Sequence, residues 1–226
     1  VVLVARDAGR LEAVRDEIAQ AGGEATVLAL DLADEDAVRS GVRRIAAERG
    51  RIDICANIAG IINWQPLPDS DIEDFDRILA TNLRGTFVMA QECAAAMRAG
   101  GRGGRIITTA SVLGPLGRAR LHAYCASKSG IIGLTRSLAA ELGRENITVN
   151  CIAPGYFLTE INAALQSRPG YMDAINGVTP MERWGDPREI VGGMIFLASD
   201  ASSFVTGQVL HVDGGVSSSF KFQLAA

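Results

Sequence analysis

Tyr124 and Lys128 stand four residues apart in Ala123-Tyr-Cys-Ala-Ser-Lys128, and Ser111 lies thirteen residues before the tyrosine. On a helix, positions i and i+4 share a face. That face would carry a phenol, able to give or take a proton, beside a cation that eases formation of the phenolate. Moving a proton on or off a substrate oxygen needs such a pair. The charge pattern sharpens the point. Of 22 basic side chains only Lys128 and Lys221 are lysines, and arginine does not replace lysine where a compact point charge is required. Taken singly, Ser111 reads as a strand-end serine and Asn82 as a helix-interior asparagine; their joint order along the chain carries the functional reading.

That order resembles the short-chain dehydrogenase/reductase family from end to end. The matching stretches are Asn57-Ile-Ala-Gly60, Asn82-Leu-Arg-Gly-Thr-Phe87, Thr108-Thr-Ala-Ser111, Tyr124-Cys-Ala-Ser-Lys128, Val149-Asn-Cys-Ile-Ala-Pro-Gly155 and Val212-Asp-Gly-Gly215. The resemblance implies an oxidoreductase that interconverts a secondary alcohol and a ketone with a nicotinamide cofactor. Tyr124 would be the general acid or base, with its pKa drawn down by Lys128. Ser111 would hold the substrate oxygen, Lys128 would also bond the nicotinamide ribose, and Asn82 would anchor a water leading protons toward Lys128.

The same resemblance assigns cofactor contacts. Asp31 and Leu32 would touch the adenine. Asn57, Ala59 and Gly60 would form the turn that approaches the cofactor closely, with Ile58 standing where the family has a second asparagine. Pro154, Gly155, Phe157 and Thr159 would cradle the nicotinamide carboxamide. After the first strand an acid would accept the adenine ribose hydroxyls of NAD; here Ala5 and then Arg6 occupy that place, and an arginine suits a 2′-phosphate. NADP(H) is therefore expected over NAD(H), although Asp7 next door could serve NAD. No metal-ligand spacing is present.

The rest of the chain must position these groups. Strand-like runs (Val1 to Ala5, Thr26 to Leu30, Ile52 to Ile58, Arg105 to Thr109, Ile147 to Ile152, Gln208 to Val212) alternate with helical ones. Asp34 caps one helix, and a long helical region with breaks runs from near Asp71 to Met97. Leu121 to Leu142 forms another, and Pro187 opens the last, ending at Ala198. Strict alternation predicts an α/β fold with a doubly wound parallel sheet, Rossmann-like. The reading is one domain over 1–226, with a substrate flap at about 156–185. The chain opens at what the resemblance makes the second strand. Gly9 and Gly22-Gly23 do not form the family's Gly-rich turn, so about 30 residues of a first strand and turn are lacking. Either a preceding segment is omitted, or the cofactor site is damaged and the protein is a non-catalytic scaffold.

Net charge is −4 with both signs interspersed, which argues against nucleic acid as a partner. No apolar run reaches transmembrane length and no signal peptide is seen. Cys55, Cys93, Cys125 and Cys151 form no C-x-x-C pair and read as free thiols in a reducing cytoplasm. His211 reads as a core or interface residue.

The substrate is a small carbonyl or alcohol. Ala153 to Glu160 with Thr179 to Asp186 looks most like the gluconate 5-dehydrogenase branch, and Arg118, Arg120 and Arg183 could meet a carboxylate. The alternative is the 3-oxoacyl-(acyl carrier protein) reductase branch. Leu113 and Trp184 would line either pocket. A homotetramer through helices near 84–99 and 122–143 is implied, with Ala94 to Ala96 and Ala139-Ala140 as close-approach faces.

Overall fold

Short apolar runs rich in β-branched residues form the strands, and capped amphipathic runs form the helices between them. The computed structural model describes residues 1–219; Lys221 and the tail from Phe220 to Leu224 lie outside the described residues. The strands are β1 (Val2–Ala5), β2 (Thr26–Ala29), β3 (Ile54–Asn57), β4 (Gly104–Thr109), β5 (Ile147–Pro154) and β6 (Val209–Val212). The helices are α1 (Ala8–Gln20), α2 (Glu35–Arg49), α3 (Ile72–Leu79), α4 (Gly85–Gly100), α5 (His122–Leu142), α6 (Ala163–Gln166), α7 (Tyr171–Val178) and α8 (Val191–Ala198).

Asp7, Asp34 and Asp71 start α1, α2 and α3, each accepting a hydrogen bond from a first-turn N–H. Gly50 and Gly101 close α2 and α4 in the left-handed conformation. Pro187 opens a short 3₁₀ turn, not the first turn of α8, and Asp186 with Glu189 caps it reciprocally.

Every strand pairing is parallel, giving the Rossmann-like α/β fold that the alternation predicts. The strands form two groups, β1-β2 and β3-β4-β5-β6. Among the described residues β1 pairs only with β2 and β3 only with β4, so each keeps one backbone edge without a strand beside it. Ile54 of β3 is accordingly 49% exposed. The two groups share one apolar core: Val38 and Val42 of α2 pack with Val88 and Cys93 of α4, Ile106 of β4 and Val149 of β5. Glu92 of α4 reinforces that seam by accepting hydrogen bonds from Arg39 at 2.6 Å and Arg43 at 2.9 Å.

The predicted break in the long helical region is a π-helical turn, Ala80–Arg84, joining α3 to α4. One extra residue per turn rotates the side chains that follow and leaves Asn82 fully buried. Segment 156–185 leaves β5 and returns to it. Its ends are pinned by Leu158 N–H to the Gly185 carbonyl at 3.0 Å and Gly185 N–H to the Tyr156 carbonyl at 2.9 Å. Gly185 is required there because a Cβ would stand 2.6 Å from the Phe157 ring.

Some expectations fail locally. His211 is exposed on β6, which removes the core half of its reading and leaves the interface half. Ala94 and Ala139 are already buried in the chain's own core, so they offer no outer face; Ala95 and Ala140 remain exposed. Cys55, Cys93 and Cys151 are buried and Cys125 half-buried, all four as free thiols. Among the described residues no helix is long and apolar enough to cross a membrane.

Candidate active site

Four elements bring the predicted residues together. Ser111 follows the end of β4, Tyr124 and Lys128 lie on the first turns of α5, Asn82 sits in the π turn, and Gly60 follows β3. All but Asn82 line one cavity of about 410 Å³, a size ordinary for small-molecule sites. Asn82 stands behind its wall. Its Oδ1 accepts from Ile61 N–H at 2.8 Å, and its Nδ2 donates to the Ile61 carbonyl at 2.9 Å and to Ser127 Oγ at 3.1 Å. Ser127 in turn donates to the Tyr124 carbonyl at 2.8 Å. This chain of bonds ties the loop after β3 to the first turn of α5.

Lys128 is only 4% exposed. Its Nζ donates to the Thr109 carbonyl at 2.7 Å and lies 5.6 Å from the Tyr124 ring centroid. Burial pulls the ammonium down to about 8. Burial also pushes the Tyr124 phenol up, against a lowering hydrogen bond from Ser111. The sequence led us to expect the opposite for the phenol. The reason is geometric: Lys128 directs its hydrogen bond to the Thr109 carbonyl, and desolvation dominates the phenol's surroundings.

The cavity suits the nicotinamide half of a dinucleotide. Lys128 uses one of its three N–H donors on protein. Thr109 Oγ1 is buried with no partner. A Cβ on Gly60 would stand 3.4 Å from both Asn82 Oδ1 and Lys128 Nζ, so the glycine keeps that space open. Pro154, Gly155, Phe157 and Thr159 line the same cavity. Arg6 and Asp31 follow β1 and β2 and face each other at 3.7 Å, Arg6 exposed and Asp31 half-buried. Arg10 of α1 reaches Glu160 of segment 156–185 at 2.6 Å, so the start of α1 lies beside that segment.

Other predicted residues sit differently. Leu32 is half-buried against Gly85, where a Cβ would come within 2.6 Å of the Leu32 carbonyl oxygen. Asn57 is buried with its Nδ2 3.6 Å from Cys55 Sγ. Ala59 does not line the cavity, whereas Ile58 does. Trp184 is buried behind the wall, 5.8 Å from the Tyr156 ring and 6.0 Å from Tyr171. Arg183 is paired with Glu189 at 2.7 Å, and Arg120 is exposed away from the cavity.

Sequence reasoning passed over Trp64, Tyr156 and Tyr171, all cavity residues. A signal existed. The chain has two tryptophans and three tyrosines, and all five lie in the cavity wall or directly behind it.

A family model described as Enoyl-(Acyl carrier protein) reductase matches residues 1–217. Gluconate 5-dehydrogenase of Gluconobacter oxydans is 39% identical over 216 residues, covering 96% of this chain and 84% of that protein. The chain belongs to the short-chain dehydrogenase/reductase family. A crystal structure of a gluconate 5-dehydrogenase from Burkholderia cenocepacia, in complex with NADP and tartrate, matches this family member with a TM-score of 0.93. That match has 37% identity and covers 97% of this chain and 86% of the other. A 3-oxoacyl-(acyl carrier protein) reductase of Staphylococcus aureus is 34% identical, covering 92% of this chain and 83% of that protein. This short-chain dehydrogenase/reductase is accordingly an NAD(P)-dependent oxidoreductase acting on CH–OH groups.

Proposed function

We propose that this oxidoreductase interconverts a sugar acid and its keto form with NADP(H), in the manner of the gluconate 5-dehydrogenases it resembles. The observation that carries the catalytic reading is the convergence of Ser111, Tyr124 and Lys128 on one largely apolar cavity. The bound nicotinamide supplies or accepts the hydride.

The chain's own residues do the rest. Ser111 donates to the substrate oxygen and holds it against the phenol. Tyr124 takes the carbinol proton during oxidation and returns one to the alkoxide oxygen during reduction. Lys128, fixed by Thr109, bonds the ribose hydroxyls and stabilises the phenolate by charge. A bound oxidised nicotinamide would add its positive charge to the ammonium's in favouring the phenolate. Asn82 keeps the Gly60 to Ile62 loop in place and anchors the water that relays protons toward Lys128.

Arg6 favours NADP(H) by meeting the 2′-phosphate, with Asp31 beside it. Leu32, Asn57, Ala59 and Gly60 flank the cofactor path, and Pro154, Gly155, Phe157 and Thr159 take the carboxamide end. Residues 156–185 act as the flap of one domain spanning 1–226. Phe87 on α4 and Leu134 on α5 line a shallow groove that also carries Asp76, Arg77 and Arg84, a mixed surface suited to assembly as a homotetramer. The four free thiols suit the cytoplasm.

The test is an assay of the purified protein for D-gluconate oxidation with NADP⁺ and NAD⁺, beside reduction of an acetoacetyl thioester with NADPH. Oxidation of the acid supports the reading. Activity on the thioester alone moves the protein to the carrier-protein reductase branch. No thermal shift with either cofactor supports a scaffold, since a ligand at a hundredfold excess over its Kd adds about 2.7 kcal/mol of stability.

A further inference from the structure

The cavity has an uneven charge. Among the described residues two cations line it, Lys128 and Arg118, and no aspartate or glutamate does. Lys128 lies beside Thr109 and Gly60, where the cofactor's ribose belongs. Arg118 comes from the loop between β4 and α5 and is half-buried.

Its surroundings are aromatic. The guanidinium carbon lies 4.9 Å from the Trp64 ring centroid, 5.5 Å from Tyr156 and 5.4 Å from Tyr171. Its Nη1 also donates to Tyr156 Oη at 3.4 Å. Among the described residues it has no carboxylate partner, unlike Arg183, which is neutralised by Glu189. Three ring faces hold the planar group without neutralising it. Most of its five N–H donors are left for an incoming group, and a guanidinium fork matches a carboxylate bidentately. A half-buried cation fixed by rings at the wall of an acid-free cavity selects for an anion.

We propose that Arg118 is the specificity-determining residue of the site. It binds the carboxylate of a hydroxy-acid substrate while the reacting carbinol sits at Ser111 and Tyr124, and Trp64, Tyr156 and Tyr171 position it. This deepens the sugar-acid reading and rests on it. Of the three arginines the sequence offered, only Arg118 lines the cavity.

The experiment compares D-gluconate with D-glucitol, which carries a neutral CH₂OH in place of the carboxylate. Binding in the presence of NADP(H) is measured by calorimetry and turnover by NADPH formation, for the wild type, Arg118→Gln and Arg118→Lys. We expect Arg118→Gln to weaken D-gluconate binding and kcat/KM about 100-fold. D-glucitol and the affinity for NADP(H) should change less than about threefold, and Arg118→Lys should recover part of the loss. The intact NADP(H) affinity also reports that the variant is folded.

Equal losses for both sugars would make Arg118 merely structural and overturn the proposal. No loss for D-gluconate in a wild type that oxidises it would overturn the anchor while leaving the sugar-acid reading intact. Arg118-dependent binding of D-gluconate without oxidation would leave the anchor and remove the reaction. A wild type that neither binds nor oxidises D-gluconate overturns both.

Discussion

Asn82 holds both backbone groups of Ile61, accepting its N–H at 2.8 Å and donating to its carbonyl at 2.9 Å. One buried carboxamide thus stands in for a strand neighbour at the end of β3 and fixes the loop that carries Gly60. Asn82→Ala leaves these two groups and Ser127 without their partner. Each buried orphan costs about 1–3 kcal/mol, partly relieved by water. The expected result is a loss of about 3 kcal/mol in urea unfolding and a fall in kcat of more than about tenfold as the Gly60 wall shifts. Unchanged stability would show that the clamp is not formed in solution.

Lys128 predicts a pH signature. Its folded-state pKa is depressed to about 8 from 10.5, so between those values the unfolded chain binds more protons than the folded one. Stability then rises with pH across that window and is lowest below it. That depression is worth about 3 kcal/mol at pH 7. Lys128→Met should be about 1–3 kcal/mol more stable than the wild type at pH 7, allowing for the lost bond to Thr109, and that advantage should shrink by pH 9.5. Urea unfolding of both proteins from pH 7 to 9.5 measures it. An advantage independent of pH would contradict the assigned burial of the ammonium.

Cofactor choice should respond to Arg6. Arg6→Asp removes the cation facing Asp31 and places two acids where a 2′-phosphate would sit. KM for NADP⁺ should rise on the order of 10–100-fold, while that for NAD⁺ stays level or falls. Steady-state kinetics with both cofactors decides this. Equal effects on both would separate Arg6 from cofactor discrimination.

Gly85 tests the seam between the two strand groups. A Cβ there would stand 2.6 Å from the Leu32 carbonyl oxygen and 3.0 Å from Leu32 Cβ. Backbone cannot swing aside as a side-chain tip can. Gly85→Ala should therefore cost about 1–3 kcal/mol despite alanine's better helix propensity. Thermal unfolding checks it, and a stabilised variant would refute the close approach.

Much of the fold was legible because its signals are local. Asp34 and Asp71 announced two helix starts, whereas Asp7, which caps α1, was read only as a possible cofactor contact; the apolar run from Ile147 was legible as a strand. The π turn was visible only as unplaced breaks in the helical run from Asp71 to Met97, because it is defined by which carbonyl an N–H meets. Within the site, the spacing of Tyr124 and Lys128 on one helix made their proximity readable. The hydrogen bond from Lys128 to Thr109 was not, since it joins residues nineteen apart in the chain. The raised phenol pKa followed from burial, which only the assembled cavity reveals. Trp184 looked like a lining residue but packs one layer deeper, behind Tyr156 and Tyr171. The choice among Arg118, Arg120 and Arg183 depended on long-range packing: Glu189 neutralises Arg183, and Arg120 is exposed and outside the cavity lining.

The central claim is that Tyr124 exchanges the proton with the substrate oxygen. Its most direct test is Tyr124→Phe, which removes one oxygen and keeps the ring. The account predicts a fall in kcat of at least about 10³-fold, with NADP(H) affinity and unfolding free energy near wild-type values. Turnover within about tenfold of the wild type would contradict it.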